Sequence, residues 1–226
     1  MNTISRTYTG KNIDLADPRA EDIDIVDIGM HLSQINRYCG ACPFPYSVAQ
    51  HSVMLTWILP EPFKKWGLAH DWAEAYKGDK IKPAKPFCPG DVDLEERIQK
   101  VICEKFGLAW PEPPEVKAAD NAIYALEKYD VLYWRDMVDK LPDSVRGMKI
   151  EPMEWWEARE LFMETYYDLW YGTREIRYEN DGPVFFSGRA SEAYRYLRRS
   201  YGQSVTFEAM ETGIIPIFTI PGIKAA

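Results

Sequence analysis

Apolar side chains recur every three or four positions through most of this chain, and proline or glycine closes each run. This pattern restricts the fold more than any other feature, because a 3.6-residue period gathers apolar groups on one helix face and the breakers hold each helix to a few turns. Ile25, Ile28, Leu32 and Ile35 keep the spacing and predict a helix that ends before Arg37. After the loop RYCGACPFPYS, Ser47 followed three residues on by Gln50 is a capping-box signature. Val48, Val53, Met54, Trp57 and Ile58 then carry a helix to Pro60. Pro62 suits the first turn of a further helix through Trp66, Leu68, Ala69 and Ala73 as far as Gly78. Leu94, Ile98, Val101, Ile102 and Phe106 form a stripe closed by Gly107. Pro113 and Pro114 open what reads as the longest helix, from Glu115 to Val138, and another is predicted over Pro152 to Trp170.

The two ends differ from this. Tyr8, Gly10 and Leu15 read as a short extended or hairpin element before the turn at Asp17 and Pro18. Beyond Tyr171 the polar stretch GTREIRYENDG leads to a helix from Ser191 to Ser200. The closing segment with Ile214, Pro216, Phe218, Ile220 and Pro221 is expected to be an extended strap on the main body or on another subunit, since two prolines oppose a regular helix. With 226 residues, the expectation is an all-α chain: one helical domain over residues 1–171 and a C-terminal extension over 172–226.

Charge narrows the partners. Thirty-five acidic against 27 basic residues give a net charge of −8, the wrong sign for broad attraction to nucleic acid, so a phosphate-bearing ligand would be small and met by a local cation cluster. The apolar run at Val53 to Leu59 is interrupted by Thr56 and stopped by Pro60, far short of the roughly 20 residues that span a bilayer, so no membrane partner is expected. The beginning, MNTISRTYTGKNIDL, lacks a basic segment followed by an apolar one, and a cytoplasmic location is expected. Cys39 and Cys42 form a CxxC pair, but Cys88 and Cys103 stand too far apart to complete a zinc ribbon, and the four read as reduced thiols.

Only three histidines occur: His31, His51 and His70. A single helical histidine beside an aspartate is more often a hydrogen-bonded or surface residue than a metal ligand. Adjacent His70 and Asp71 do not share a helix face, so both reach one metal only at a helix edge, with neighbouring helices bearing His51 and Asp120 completing the shell. Two imidazoles with carboxylates suit Mn, Fe, Co or Zn. Glu74 lies four residues after His70 and three after Asp71, on the face toward such a site. His31 has no matching partner and reads as structural.

The segments YSVAQHSV, HDWAEAYKGDKIKP and VKAADNAIYALE, with DLADPRAEDIDIVDIGMHLSQINRY before them, resemble the HD-domain phosphohydrolases. The likeness is to their compact bacterial and phage branch, which includes the 5'-deoxynucleotidases, and it covers about three quarters of the chain. It implies an HD-type helical bundle with His51, His70, Asp71 and Asp120 as metal ligands, and a divalent ion such as Co, Mn or Zn. It also implies Glu74 as general acid/base, Asp79 as a second acid at the sugar or the water, Arg37 and Tyr38 as an Arg-aromatic pair holding phosphate and nucleoside, and Lys85 as the lysine after the GD dipeptide. Lys82 is a further candidate for the charge of the phosphoryl group. The loop CGACPFP lacks a histidine that many members carry there.

The function so implied is metal-dependent hydrolysis of a deoxynucleoside 5'-monophosphate, since such a metal lowers the pKa of a coordinated water from about 15.7 to about 7. A dNTP triphosphohydrolase, such as the phage type that acts on dATP, is the alternative, to which the extra positive charge of DKIKPAK is suited. The other class is a metal-dependent nucleotide-binding module without turnover. The absence of a GYP motif downstream argues against the cyclic-dinucleotide branch. A homo-oligomer in the cytoplasm, or the host cytoplasm for a phage protein, is expected.

Overall fold

The computed structural model describes residues 2–134, 136, 140–178, 184–201 and 203–215. The chain is mostly helical and divides into two compact units, Met1–Phe162 and Met163–Ala226. None of the helices among the described residues is long and apolar enough to cross a membrane.

The first unit opens with the expected hairpin, β1 (Ile4–Arg6) antiparallel to β2 (Asn12–Asp14), with Ser5 opposite the buried Ile13. Helix α1 (Ile25–Gln34) is capped by Asp24, whose side chain accepts the Val26 N–H. His31 is structural: Nδ1–H donates to the Ala75 carbonyl at 2.7 Å and Nε2 accepts the Tyr8 N–H at 3.2 Å. Asp27 accepts both the N–H and the hydroxyl of Thr9, so the hairpin loop is tied to α1 from two positions.

Helix α2 (Val48–Ile58) starts where Ser47 accepts the Gln50 N–H at 3.2 Å. The capping box is only half closed, because the Gln50 amide reaches the Glu151 carbonyl at 2.8 Å instead. Every residue from Val48 to Thr56 is buried, which makes α2 the central helix of the unit. The single helix expected between Pro62 and Gly78 is divided into a 3-10 turn, α3 (Lys64–Ala69) and α4 (Glu74–Lys77). Between α3 and α4 the backbone tightens: the N–H groups of Trp72, Glu74 and Ala75 each bond the carbonyl three residues back.

Helix α5 (Pro89–Phe106) begins earlier than its apolar stripe suggested, with Pro89 in its first turn, and ends at Gly107 with φ +68°, the left-handed conformation that glycine adopts without strain. Helix α6 (Pro114–Asp130) stops eight residues short of the expected Val138 and, at 17 residues, is not the longest; α5 has 18. It stops because the Asp130 carboxylate captures the Ile150 N–H at 2.6 Å, while the Glu127 carbonyl takes the N–H groups of both Val131 and Leu132, and Tyr133 follows at φ +57°. The core between these helices gathers Met54, Leu55, Leu59, Trp66, Ile123 and Leu126 with Val145 and Ile150 of the segment after α6.

Helix α7 (Trp155–Tyr171) matches the expected span closely. In the second unit, strand β3 (Thr173–Tyr178) pairs antiparallel with β4 (Val184–Arg189), Thr173 facing Arg189. Helices α8 (Ala190–Tyr201) and α9 (Gln203–Thr212) follow, and β5 (Ile214–Ile215) joins β3 in parallel, for a sheet order β4-β3-β5. Helix α8 matches the helix expected over Ser191 to Ser200, while the sheet and α9 were not foreseen. Thr173, Ile176 and Tyr178 are strand formers that the charged residues between them obscured. Asp168 takes the Ser191 N–H and the Arg189 guanidinium, both at 2.8 Å, and so anchors the start of α8. Pro216, Phe218, Ile220 and Pro221 of the expected strap lie outside the described residues.

Candidate metal centre

His51, one turn into α2, is wholly buried, and its Nδ1–H donates to Glu127 of α6 at 2.6 Å. His70, at the end of α3, donates its Nδ1–H to the Gly67 carbonyl at 2.8 Å. These two donations assign both tautomers and leave the Nε2 lone pairs pointing at each other across 3.1 Å. Asp120, from the middle of α6, brings Oδ1 to 3.5 Å from His51 Nε2. One donor atom from each of His51, His70 and Asp120 lies within 4.8 Å of the others. Asp71 enters from the tightened turn, with Oδ2 at 3.0 Å from His70 Nε2 and 3.7 Å from His51 Nε2. Two lone pairs at that separation repel unless a cation or proton lies between them, so the donor set fits a divalent ion.

The local electrostatics agree. Burial opposes a charge on His70, but the Asp71 carboxylate and its hydrogen bond, with Asp120 behind, outweigh that and hold the imidazole up to about 9. Asp71 and Asp120 are held well below the usual carboxylate range in spite of burial, Asp71 chiefly by His70 and Asp120 chiefly by His51. A positive charge is demanded at this point whether a proton or a metal provides it.

His70, Asp71 and Asp120 line a cavity of about 510 Å³, with His51 buried behind them, and Arg37, Tyr38, Glu74, Asp79, Lys82 and Lys85 line it as well. Glu74 is buried at the start of α4 with Oε2 unbonded, and burial, then Asp71, then Asp79 push its carboxyl well above the usual range. Asp79 is likewise raised by burial, against Arg37. Lys82 stands 3.8 Å from Asp120 Oδ2 and 3.8 Å over the Tyr124 ring, and burial lowers its pKa. Lys85 also lines the cavity, with Nζ 3.5 Å from Glu95. Arg37 lines the cavity but is only 8% exposed; it donates to Glu127 at 3.1 Å and lies 3.5 Å from Asp71. Tyr38 turns its hydroxyl onto Glu127 while its ring stacks near Tyr124 at 6.4 Å.

The principal residue that sequence reasoning missed is Glu127, which accepts from Arg37, Tyr38, Tyr46 and His51. Its signal was available: it stands seven residues after Asp120, two helical turns along the same face. Lys117, three before Asp120 and 2.9 Å from it, and Glu112 on the cavity wall were also missed. The four cysteines are free thiols.

No model of a known protein family matches the chain. It is 34% identical over 169 residues to the uncharacterized protein YfdR of Escherichia coli K12, a match covering 73% of this chain and 94% of that protein. It is also 32% identical over 184 residues to the uncharacterized protein RCAP_rcc00048 of Rhodobacter capsulatus, again covering 73% of this chain and 94% of the other.

Proposed function

The chain belongs to one family with these two bacterial proteins, and from its donor set we propose that it is an HD-type, metal-dependent phosphohydrolase of 2'-deoxynucleotides, releasing nucleoside and phosphate from deoxynucleoside 5'-monophosphates. The observation that carries this reading is the convergence of two tautomer-fixed imidazoles and two carboxylates, of which His70, Asp71 and Asp120 line a cavity together with several lysines. His51, His70, Asp71 and Asp120 would hold a divalent ion, which would supply Lewis acidity for the hydrolysis.

The residues of the chain do the rest. Glu74, kept neutral by burial and by its acidic neighbours, holds a proton beside the cavity and serves as the general acid that gives it to the leaving 5'-oxygen, after which its carboxylate can take up a proton again. Asp79, on the same wall, orients the water or the sugar. Lys82 and Lys85 offset charge that spreads over the phosphoryl oxygens, and Arg37 adds its field from behind Asp71. Tyr38 encloses the nucleoside. A second reading, triphosphohydrolase action on a dNTP, is favoured by one observation: Lys80 and Lys117 line the cavity beside Lys82 and Lys85, which suits the larger charge of a triphosphate.

The test is turnover of ribo- and deoxynucleoside mono- and triphosphates with Mn, Co or Zn, resolving nucleoside, phosphate and triphosphate, with Asp71→Ala as the control. Nucleoside and phosphate from deoxynucleoside monophosphates alone support the first reading. Release of whole triphosphate supports the second. Nucleotide binding without turnover by metal-loaded protein overturns both in favour of a binding module.

A further inference from the structure

Four groups from four parts of the chain close a ring: His51 Nδ1 to Glu127 Oε1 at 2.6 Å, Glu127 Oε2 to Arg37 Nη2 at 3.1 Å, Arg37 Nη1 to Asp71 Oδ2 at 3.5 Å, and Asp71 Oδ2 to His51 Nε2 at 3.7 Å. Two of the four, His51 and Asp71, face the cation position; Glu127 and Arg37 stand behind them. Glu127 is wholly buried, and its oxygens also take the hydroxyls of Tyr46 and Tyr38. A buried carboxylate is this heavily provided with donors only at a large desolvation cost, and of its partners His51 and Arg37 both lead directly to the donor set.

We propose that Glu127 is the positioning residue of the cation site, acting on His51 directly and on Asp71 through Arg37. The Nδ1–H···Oε1 bond fixes which His51 nitrogen is free, orients the ring, and makes Nε2 a better donor. The Arg37 guanidinium, clamped by Glu127, restrains the Asp71 carboxylate at Oδ2, the oxygen that also approaches His70 and His51. Neither Glu127 nor Arg37 ligates the ion, so their effect is on its affinity and geometry rather than on its presence. The inference rests on the reading that the cluster holds a divalent ion.

The experiment compares full-length wild type and Glu127→Gln after metal removal, titrating Mn by equilibrium dialysis and recording the Co absorption bands. Glutamine keeps the size of the side chain but removes the charge. The expected result is affinity weaker by about 10- to 100-fold and altered Co bands. Should Glu127→Gln fail to fold because Arg37 is left without a carboxylate, Glu127→Gln/Arg37→Gln removes both buried charges and gives the same comparison. Leu32→Ala, a truncation of the buried core on α1, controls for lost stability alone and should bind Mn as the wild type does. Folded Glu127→Gln with affinity within twofold of wild type overturns the inference, as does an equal loss in Leu32→Ala. A wild type that binds neither Mn nor Co nor Zn overturns the cation reading itself, and this inference with it.

Discussion

Glu74 and Glu127 are both buried glutamates, and their neighbours drive them in opposite directions. Around Glu74 stand the carboxylates Asp71 and Asp79, so burial and like charge combine to favour its neutral form. Around Glu127 stand Arg37 and His51, which overcome burial and hold its carboxyl at about 2. Glu74→Gln should therefore keep its metal affinity and lose turnover by about 10²- to 10⁴-fold, read from Mn titration alongside initial rates. For Glu127 the folded-state value lies below the ordinary 4.5, so its stabilisation is full above about pH 4.5 and is lost as pH falls through about 2. Denaturant unfolding measured across that window should fall more steeply for wild type than for Glu127→Gln. Of these two residues, Glu74 was legible from its spacing to His70 and Asp71. Glu127 was not singled out, because a glutamate on a helix ordinarily faces water, and only the approach of Arg37, Tyr38, Tyr46 and His51 gives it another role.

At the scale of elements, the site depends on how closely α2 and α3 approach, and Gly67 sits at that contact. A Cβ there would lie 2.3 Å from Leu59 Cδ1, and the Gly67 carbonyl is the acceptor that sets the His70 tautomer. Gly67→Val is expected to cost about 1–3 kcal/mol in denaturant unfolding and to weaken Mn binding as well, because a displaced α3 carries His70 with it. The periodicity located α1, α2 and α7 to within a few residues, since their apolar positions and caps are local signals. It missed the division of α3 from α4 and the early end of α6. The first depends on tightened hydrogen bonds over a few residues, and the second on Asp130 meeting an N–H twenty positions later. The β3–β4 hairpin was missed for a related reason: in antiparallel pairing the partner strand, not local periodicity, completes the hydrogen bonds.

For the whole molecule, a cation that binds only the folded first unit must stabilise it by mass action. At a hundredfold excess over its dissociation constant the gain is about 2.7 kcal/mol, so Mn should raise the melting temperature by about 5–10 °C and a chelator should reverse the shift. Asp71→Ala should show little of it. Residue order alone determined that the chain is mostly helical and where α1, α2 and α7 lie, because helical period, caps and breakers act over a few residues; it offered His51, His70, Asp71 and Asp120 as candidates for one site through the resemblance of the segments that carry them. Tertiary structure alone decided that these four converge from α2, the turn after α3, and α6, that Arg37 is spent on two carboxylates, and that Glu127 stands behind His51. Those outcomes depend on groups separated by tens of residues, whose desolvation is offset only when the packed helices bring their partners to hydrogen-bonding distance.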